Sequence, residues 1–220
     1  GGSDAPLCDI CFAGYGKAGA LSSGTGPEAS RPFDKDRDGF VLAEGSSMLV
    51  LENYHSAKKR NAFIYAEITG YASKTDGFHM TQPLLSSQIM LLQKVLQSAG
   101  IRADDVDHIN AHGTSTKIGD KIEAQAITNV FGSRFLPVCA LKSMTGHMLA
   151  ASAAFEIACT AKSLQEGVIP PTINVQQQND EYQVSIFQEK TAMPIKTALS
   201  LSFGFGGANA ALILKKIDET

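Results

Sequence analysis

The sequence predicts an α/β protein built on a mainly parallel sheet, covered by helices on both faces and finished by an antiparallel hairpin. Three observations carry that expectation. Short apolar runs of strand length alternate with segments whose apolar residues recur at helical spacing, Gly or Pro punctuates the joins, and the chain closes as strand, Gly-rich turn, strand.

The elements follow in order. Residues 1–30 are rich in Gly, Ser and Ala and read as loop plus a short helix. Arg31 to Gly39 packs six charges into nine residues, which predicts an ordered, salt-bridged loop. Met48 to Leu51 is a continuous apolar run, the mark of a buried strand, and Tyr54 to Arg60 adds a turn or two of helix. Phe63 to Tyr71 alternates as a second strand. Leu85, Ile89, Leu92, Leu96 and Ala99 then share a helix face, with Gly100 as the stop. Val106 to Ala111 is a strand that delivers His112; Asp120 to Phe131 is a helix closed by Gly132. Pro137 to Leu141 is a strand that delivers Lys142. The Ala-rich stretch from Met148 to Glu166 is a helix buried on most faces and stopped by Gly167 and Pro170-Pro171. Thr197 to Phe203, the turn Gly204 to Gly207, and Ala210 to Lys215 form the closing hairpin.

Composition excludes several classes. A chain of 220 residues, 44% hydrophobic, can bury a real core. A net charge of −3 without a long basic run argues against nucleic acid as partner. No apolar stretch reaches the roughly 18 residues of a membrane span, and no signal or transit peptide is visible, so the expected location is the cytoplasm. The opening Gly-Gly-Ser-Asp-Ala-Pro lacks an initiator Met and reads as the turn after a strand, which suggests a fragment boundary. The four cysteines are scattered, as in a reducing compartment. Cys8 and Cys11 form a lone Cys-x-x-Cys; a zinc or redox reading needs a second pair or a thioredoxin-like context, so the pair reads as two partly buried thiols.

The chemistry concentrates at three strand ends, Asn110 to Thr116, Lys142 to His147, and Ser202 to Asn209, where Gly, hydroxyl and basic side chains collect. The imidazoles of His112 and His147 and the ammonium of Lys142, converging on one pocket, suit a developing oxyanion or enolate. A lone His at a strand end is also a common structural hydrogen-bonder, and the turn at Gly204 to Gly207 is equally readable as a plain hairpin. That turn is not a phosphate loop, since it lacks the Gly-x-x-x-x-Gly-Lys spacing and a following helix. A metal site from His112, His147 and a carboxylate lacks any strong ligand spacing, so no metal is expected.

The strings "NAHGTST" (110–116), "DKIEAQA" (120–126), "LKSMTGH" (141–147), "PPTIN" (170–174) and "SFGFGGAN" (202–209) occur in this order and closely resemble the carboxyl-terminal part of β-ketoacyl-[acyl-carrier-protein] synthases. "RPFDKDRDGFVLAEG" (31–45) and "DGFHMTQP" (76–83) fit the same enzymes, particularly the elongating, KAS II-like branch, and the resemblance covers essentially the whole chain. It implies a thiolase-like layered α-β-α-β-α fold. Residues 1–60 would be the end of the amino-terminal half and 61–220 the carboxyl-terminal half. It implies a decarboxylative Claisen condensation, an acyltransferase reaction of fatty-acid or polyketide synthesis. Malonyl-carrier loses CO2, and its enolate attacks an acyl thioester held on a Cys.

By the same resemblance His112 and His147 would polarise the malonyl carbonyl through Nε2–H, Lys142 would tune them, and Glu123 would neutralise Lys142 in a buried ion pair. Thr114 and Thr116 would bind the phosphopantetheine arm that the acyl carrier protein delivers, with no cofactor bound by the protein itself. Phe205 would gate the acyl pocket and offer half an oxyanion hole, with Gly204 and Gly206 letting its loop swing. Asp76 to Thr81 would be the facing loop. The implied partners are the carrier protein, an amino-terminal half bearing the nucleophilic Cys, and a second copy in a dimer. The departures are Ala150 and Ala153 where Gly is frequent, Ala208 where Thr is usual, and Gly19 where a basic residue often faces the carrier, with Lys17 the nearest substitute. None of the four cysteines lies at a Gly-rich elbow like the nucleophile's. The alternative readings are a chain-length-factor-like partner and a carrier-binding module that does not condense.

Overall fold

The computed structural model describes residues 1–178 and 183–217. At its centre is a six-stranded mixed sheet in the order β3-β10-β9-β4-β5-β7. Its strands are β3 (Glu67–Thr75), β4 (His108–Asn110), β5 (Pro137–Cys139), β7 (Ser185–Ile186), β9 (Thr197–Gly204) and β10 (Ala208–Lys215). Strands β9, β4, β5 and β7 run parallel, while β3, β10 and β9 pair antiparallel, so the expected antiparallel finish occupies half of the sheet.

The period-2 alternation of β9 builds two cores. Leu199 and Leu201 face one side, where α3 (Leu85–Ala99) and α4 (Lys117–Phe131) bring Leu91, Leu92, Val95, Leu96, Ala124 and Ile127. Ala198 faces the other, where α6 (Ser152–Glu166) brings Ala161 and Leu164 against Leu141, Ile195 and Leu214. The result is a sheet covered on both faces, as the alternation of strands and helices requires.

The first 60 residues hold β1 (Gly2–Asp4), α1 (Asp9–Lys17), β2 (Gly45–Ser47) and α2 (Tyr54–Lys59), with β1 and β2 pairing antiparallel. They pack against this sandwich through β1 and β2, which contact the 149–151 turn and α6. The charged 31–39 segment is ordered, as expected: buried Arg37 lies 3.4 Å from Asp120 Oδ2 on α4 and donates to the carbonyls of Asp34, Thr116 and Lys117. Asn174 of the "PPTIN" string ties three segments together, donating to the carbonyls of Pro27, Ser30 and Ser143.

Several sequence expectations need correction. The 48–51 run is not a buried strand: β2 stops at Ser47, and Met48, Val50 and Leu51 are 81%, 93% and 72% exposed. Apolar identity favours burial only when a layer faces it, and among the described residues none does. The strand expected at 63–71 runs from Glu67 to Thr75, because its register is set by β10, from Lys215↔Glu67 to Ala208↔Thr75. The Met148–Glu166 helix begins at Ser152 after a 3-10 turn at Leu149–Ala151. The Gly204–Gly207 turn is itself a 3-10 turn headed by Phe205. Two short strands, β6 (Val168–Ile169) and β8 (Thr191–Ala192), pair outside the main sheet.

Candidate active site

The carboxyl end of β4 delivers the first histidine. After Asn110 the chain turns through Gly113, whose positive φ of 42° and close approach suit no side chain; a Cβ there would lie 2.5 Å from that of Ala140. Thr116 then caps α4, its Oγ1 accepting from the Gly119 N–H at 3.2 Å. Glu123, the seventh residue of α4, reaches back and accepts the N–H groups of His112 (2.7 Å) and Gly113 (2.8 Å), which fixes the loop.

The carboxyl end of β5 leads into α5 (Lys142–Thr145), which buries Lys142 to 1% exposure. An ammonium has three protons, and each finds an acceptor: Glu156 Oε1 at 2.6 Å, the His112 carbonyl at 2.6 Å and His112 Nδ1 at 3.2 Å. Glu123 is therefore not the lysine's counter-charge. Both of its oxygens are taken by backbone N–H groups, and the ion pair is made by Glu156 on α6, itself buried. Sequence reasoning missed Glu156. The signal was present: an acid at 156, in the Ala-rich first half of the helix, is costly without a partner.

These contacts fix the tautomer of both histidines. Nδ1 of His112 faces an ammonium, so it must accept, and the ring proton sits on Nε2. Nδ1 of His147 accepts the Leu149 N–H at 3.2 Å and lies 3.2 Å from Ser152 Oγ, so its proton also sits on Nε2. Both rings stay neutral. Burial first, then the Lys142 charge, pushes His147 down to about 3 and His112 well below the usual imidazole value. The rings meet edge to face with centroids 5.5 Å apart, His112 packing on Phe203 and His147 on Phe40. The backbone of His147 is clamped from the first 60 residues, donating to the Val41 carbonyl at 2.7 Å and accepting from Ala43 N–H at 3.0 Å.

Both rings line a cavity of ≈ 590 Å³. Of the residues expected at the site, Thr114, Thr116, Asp76, Thr81, Gly204 and Phe205 also line it, whereas Lys142 and Glu123 stand behind the histidines and Gly206 lies off the wall. The Oγ1 atoms of Thr114 and Thr116 are 3.0 Å apart. Phe205 is 47% exposed at the mouth, its ring tilted on Tyr15 at 6.5 Å. Its loop is joined to the facing one: Gly206 N–H donates to the Met80 carbonyl, and Asp76 N–H to that of Gly207. Asp76 also accepts from Asn209 Nδ2 at 2.6 Å and from the Leu84 N–H. No cysteine is among the cavity's lining residues; Cys139 faces His108 and Asn110 within the sheet, and burial pushes its thiol up. Among the described residues no cluster of three or more His, Cys, Asp or Glu is arranged to hold a metal, and no helix is long and apolar enough to cross a membrane.

Two family models match this chain. One, described as beta-ketoacyl synthase, C-terminal domain, covers residues 65–176, and the other, beta-ketoacyl synthase, N-terminal domain, covers 1–57. The chain is 41% identical over 224 residues to a 3-oxoacyl-[acyl-carrier-protein] synthase 2 of Staphylococcus aureus, covering 99% of this chain and 54% of the relative. It is 42% identical over 224 residues to a protein of the same name in Coxiella burnetii, with 99% and 54% covered. A solved structure of a type II polyketide acyl-carrier protein in complex with its ketosynthase superposes with a TM-score of 0.94 at 39% identity, covering 98% of this chain and 55% of that one. The chain thus spans about half the length of the curated relatives it matches.

Proposed function

The chain belongs to the beta-ketoacyl synthase family, with its thiolase-like α/β fold, and on that premise we propose that it supplies the malonyl side of a decarboxylative Claisen condensation. One observation carries the reading. Two imidazoles, each with Nδ1 engaged by a fixed partner, line one cavity, which leaves their Nε2–H groups to meet a substrate. A malonyl thioester oxygen placed between them accepts both donors. The bond to the carboxylate then breaks, CO2 leaves, and the electron pair passes into an enolate whose oxygen the same donors hold. The enolate carbon attacks the carbonyl carbon of an acyl thioester, expelling a Cys thiolate and leaving a 3-oxoacyl chain. That Cys is supplied from outside these 220 residues, since none of the four present lines the cavity.

Thr114 and Thr116 on the cavity wall hydrogen-bond the phosphopantetheine arm of an acyl carrier protein, and Phe205 at its mouth gates the acyl side. Residues 1–60 serve as the end of an amino-terminal half that also clamps His147, and the working unit is a dimer in the cytoplasm. A chain-length-factor-like role has no use for a satisfied Lys142 behind two tautomer-fixed histidines, so we favour condensation.

The test separates the half-reactions in the enzyme that includes the acyl-bearing Cys. His112→Ala should lower malonyl decarboxylation and condensation by about two to three orders of magnitude, the typical loss for one such donor, and acyl transfer to Cys much less. Equal loss of both half-reactions would make His112 structural. The 220 residues alone should form no 3-oxoacyl product from acyl- and malonyl-carrier; product from the purified chain would refute the assignment of the Cys to another segment.

A further inference from the structure

The Cys-x-x-Cys pair lacks a role in condensation, and its setting differs from the bland one the sequence suggested. Cys8 is the N-cap of α1 in extended conformation, and Cys11 is the third residue of the first turn, its N–H donating to the Cys8 carbonyl at 3.0 Å. These are the two positions whose side chains reach toward each other in a capping box, so both sulfurs lie over the same turn, with no side-chain cap hydrogen bond from Cys8. Cys8 is exposed, whereas Cys11 is half-buried and packs with Tyr15 and Leu149 against Ala20, Phe40 and Leu42.

We propose that Cys8 and Cys11 form a reversible dithiol–disulfide site, Cys8 attacking and Cys11 resolving, oxidised by exchange with a low-molecular-weight disulfide. The asymmetry supports the two roles. Cys8 is the exposed sulfur at the helix N-terminus, where the Cys11 N–H and then its thiol hold it below the usual thiol value. The hydrogen bond to Cys8, partial burial and the carboxylate of Asp4 hold Cys11 above it, so Cys11 stays protonated until a mixed disulfide forms beside it. Cys139 and Cys159, with thiols raised mainly by burial, are the unreactive comparison within the same chain.

The step balances. Cys8 thiolate attacks one sulfur of the small disulfide, forms a mixed disulfide and releases one thiolate. Cys11 loses its proton to solvent, attacks the Cys8 sulfur and releases the second thiolate. The protein gives up two electrons and two protons, and the small disulfide becomes two thiols. The exchange is independent of the condensation chemistry, because neither sulfur lines the cavity; Tyr15, one turn beyond Cys11, does.

The test equilibrates the native chain with mixtures of reduced and oxidised glutathione, traps free thiols by alkylation, and weighs the tryptic peptide 1–17, which holds both residues. The expected result is joint protection of Cys8 and Cys11 with the loss of two hydrogens, while Cys139 and Cys159 carry no glutathione. Cys11→Ser should collect one glutathione on Cys8. In Cys8→Ser the remaining Cys11 should be alkylated at least about tenfold more slowly than Cys8 is in Cys11→Ser. Glutathione on both cysteines without an internal bond, or equal reactivity of the two sulfurs, would overturn the proposal.

Discussion

Replacing Glu156 by Gln tests which carboxylate neutralises Lys142. The pair is buried on both sides, with Nζ 2.6 Å from Oε1 and side chains 1% and 2% exposed. At that distance and an effective dielectric of ~20 the gross attraction is about 6 kcal/mol. The amide keeps a neutral hydrogen bond and the shape, so the expected net loss is about 3–5 kcal/mol, the usual cost of leaving a buried charge without its partner. Glu123→Gln removes an acceptor from one of two backbone N–H groups and should cost about 1–3 kcal/mol. The decisive quantity is the coupling. A double-mutant cycle of Lys142→Met with Glu156→Gln should give at least about 3 kcal/mol, whereas the same cycle with Glu123→Gln should give under about 1 kcal/mol. The chain has no Trp, so urea unfolding is best followed by far-ultraviolet circular dichroism. Coupling to Glu123 equal to or above that to Glu156 would show that the ion pair has been misassigned.

Two further outcomes follow from the same geometry. Nitrogen-15 NMR of the imidazoles should find His112 and His147 neutral with the proton on Nε2 at pH 5, and His108, whose Nδ1 faces the Pro137 carbonyl at 3.1 Å, in the opposite tautomer with its value lowered to about 4; a midpoint near 6.5 for any of the three would contradict the burial argument. Because the folded value of His147 is about 3, below the unfolded 6.5, the unfolded chain takes the proton first as pH falls. Its contribution is intact above about pH 6.5 and lost progressively toward about 3, about 2 kcal/mol of it between pH 6.5 and 5. His147→Gln should lack that share of the acid slope, and an unchanged slope would sink the point. Gly207→Ala should cost at least about 1–2 kcal/mol, since φ is 76° and the new Cβ would lie 2.6 Å from that of Asp76. Hydrogen exchange at the Asp76 amide, which donates to Gly207, should quicken; a change in stability under about 0.5 kcal/mol would mean the two loops are not joined as described.

Much of this was legible in the sequence, for reasons particular to each element. The strand and helix order followed from periodicity and apolar runs, because α3 buries one repeating face and β9 is buried on both. His112, Lys142 and His147 were legible because Gly-punctuated strand ends gather reactive groups. The partner of Lys142 was not, since a carboxylate on the nearer helix and one on the Ala-rich helix look equally suitable until the loop's N–H groups are seen to occupy Glu123. Nor was the exposure of Met48 to Leu51, because hydrophobicity records what a face prefers and says nothing of whether another layer meets it. The 47% exposure of Phe205 likewise depends on the 3-10 turn that holds it up, a geometry the Gly-rich string left open.

The arrangement around Lys142 reconciles two requirements that oppose each other. A site for a developing anion gains from positive charge, yet a permanently charged imidazolium would attract carboxylates and water in the resting state. Here the permanent charge is placed one residue back, on Lys142, and Glu156 balances it before any substrate arrives. What faces the cavity is neutral, and its N–H direction is set by where the ammonium and the Leu149 N–H meet Nδ1. In the condensation proposed above, negative charge building on an oxygen between the two Nε2–H groups would require no donor to turn and no counter-ion to move, so the reorganisation cost would fall on folding and not on the reaction. The same logic gives the ion pair a part beyond stability. Glu156 is not among the cavity's lining residues, but without it Lys142 would be buried with no carboxylate partner, and the donor that holds His112 Nδ1 would lose its anchor. In the condensation proposed above, the imidazole would then lose the contact that fixes its tautomer and the direction of its Nε2–H.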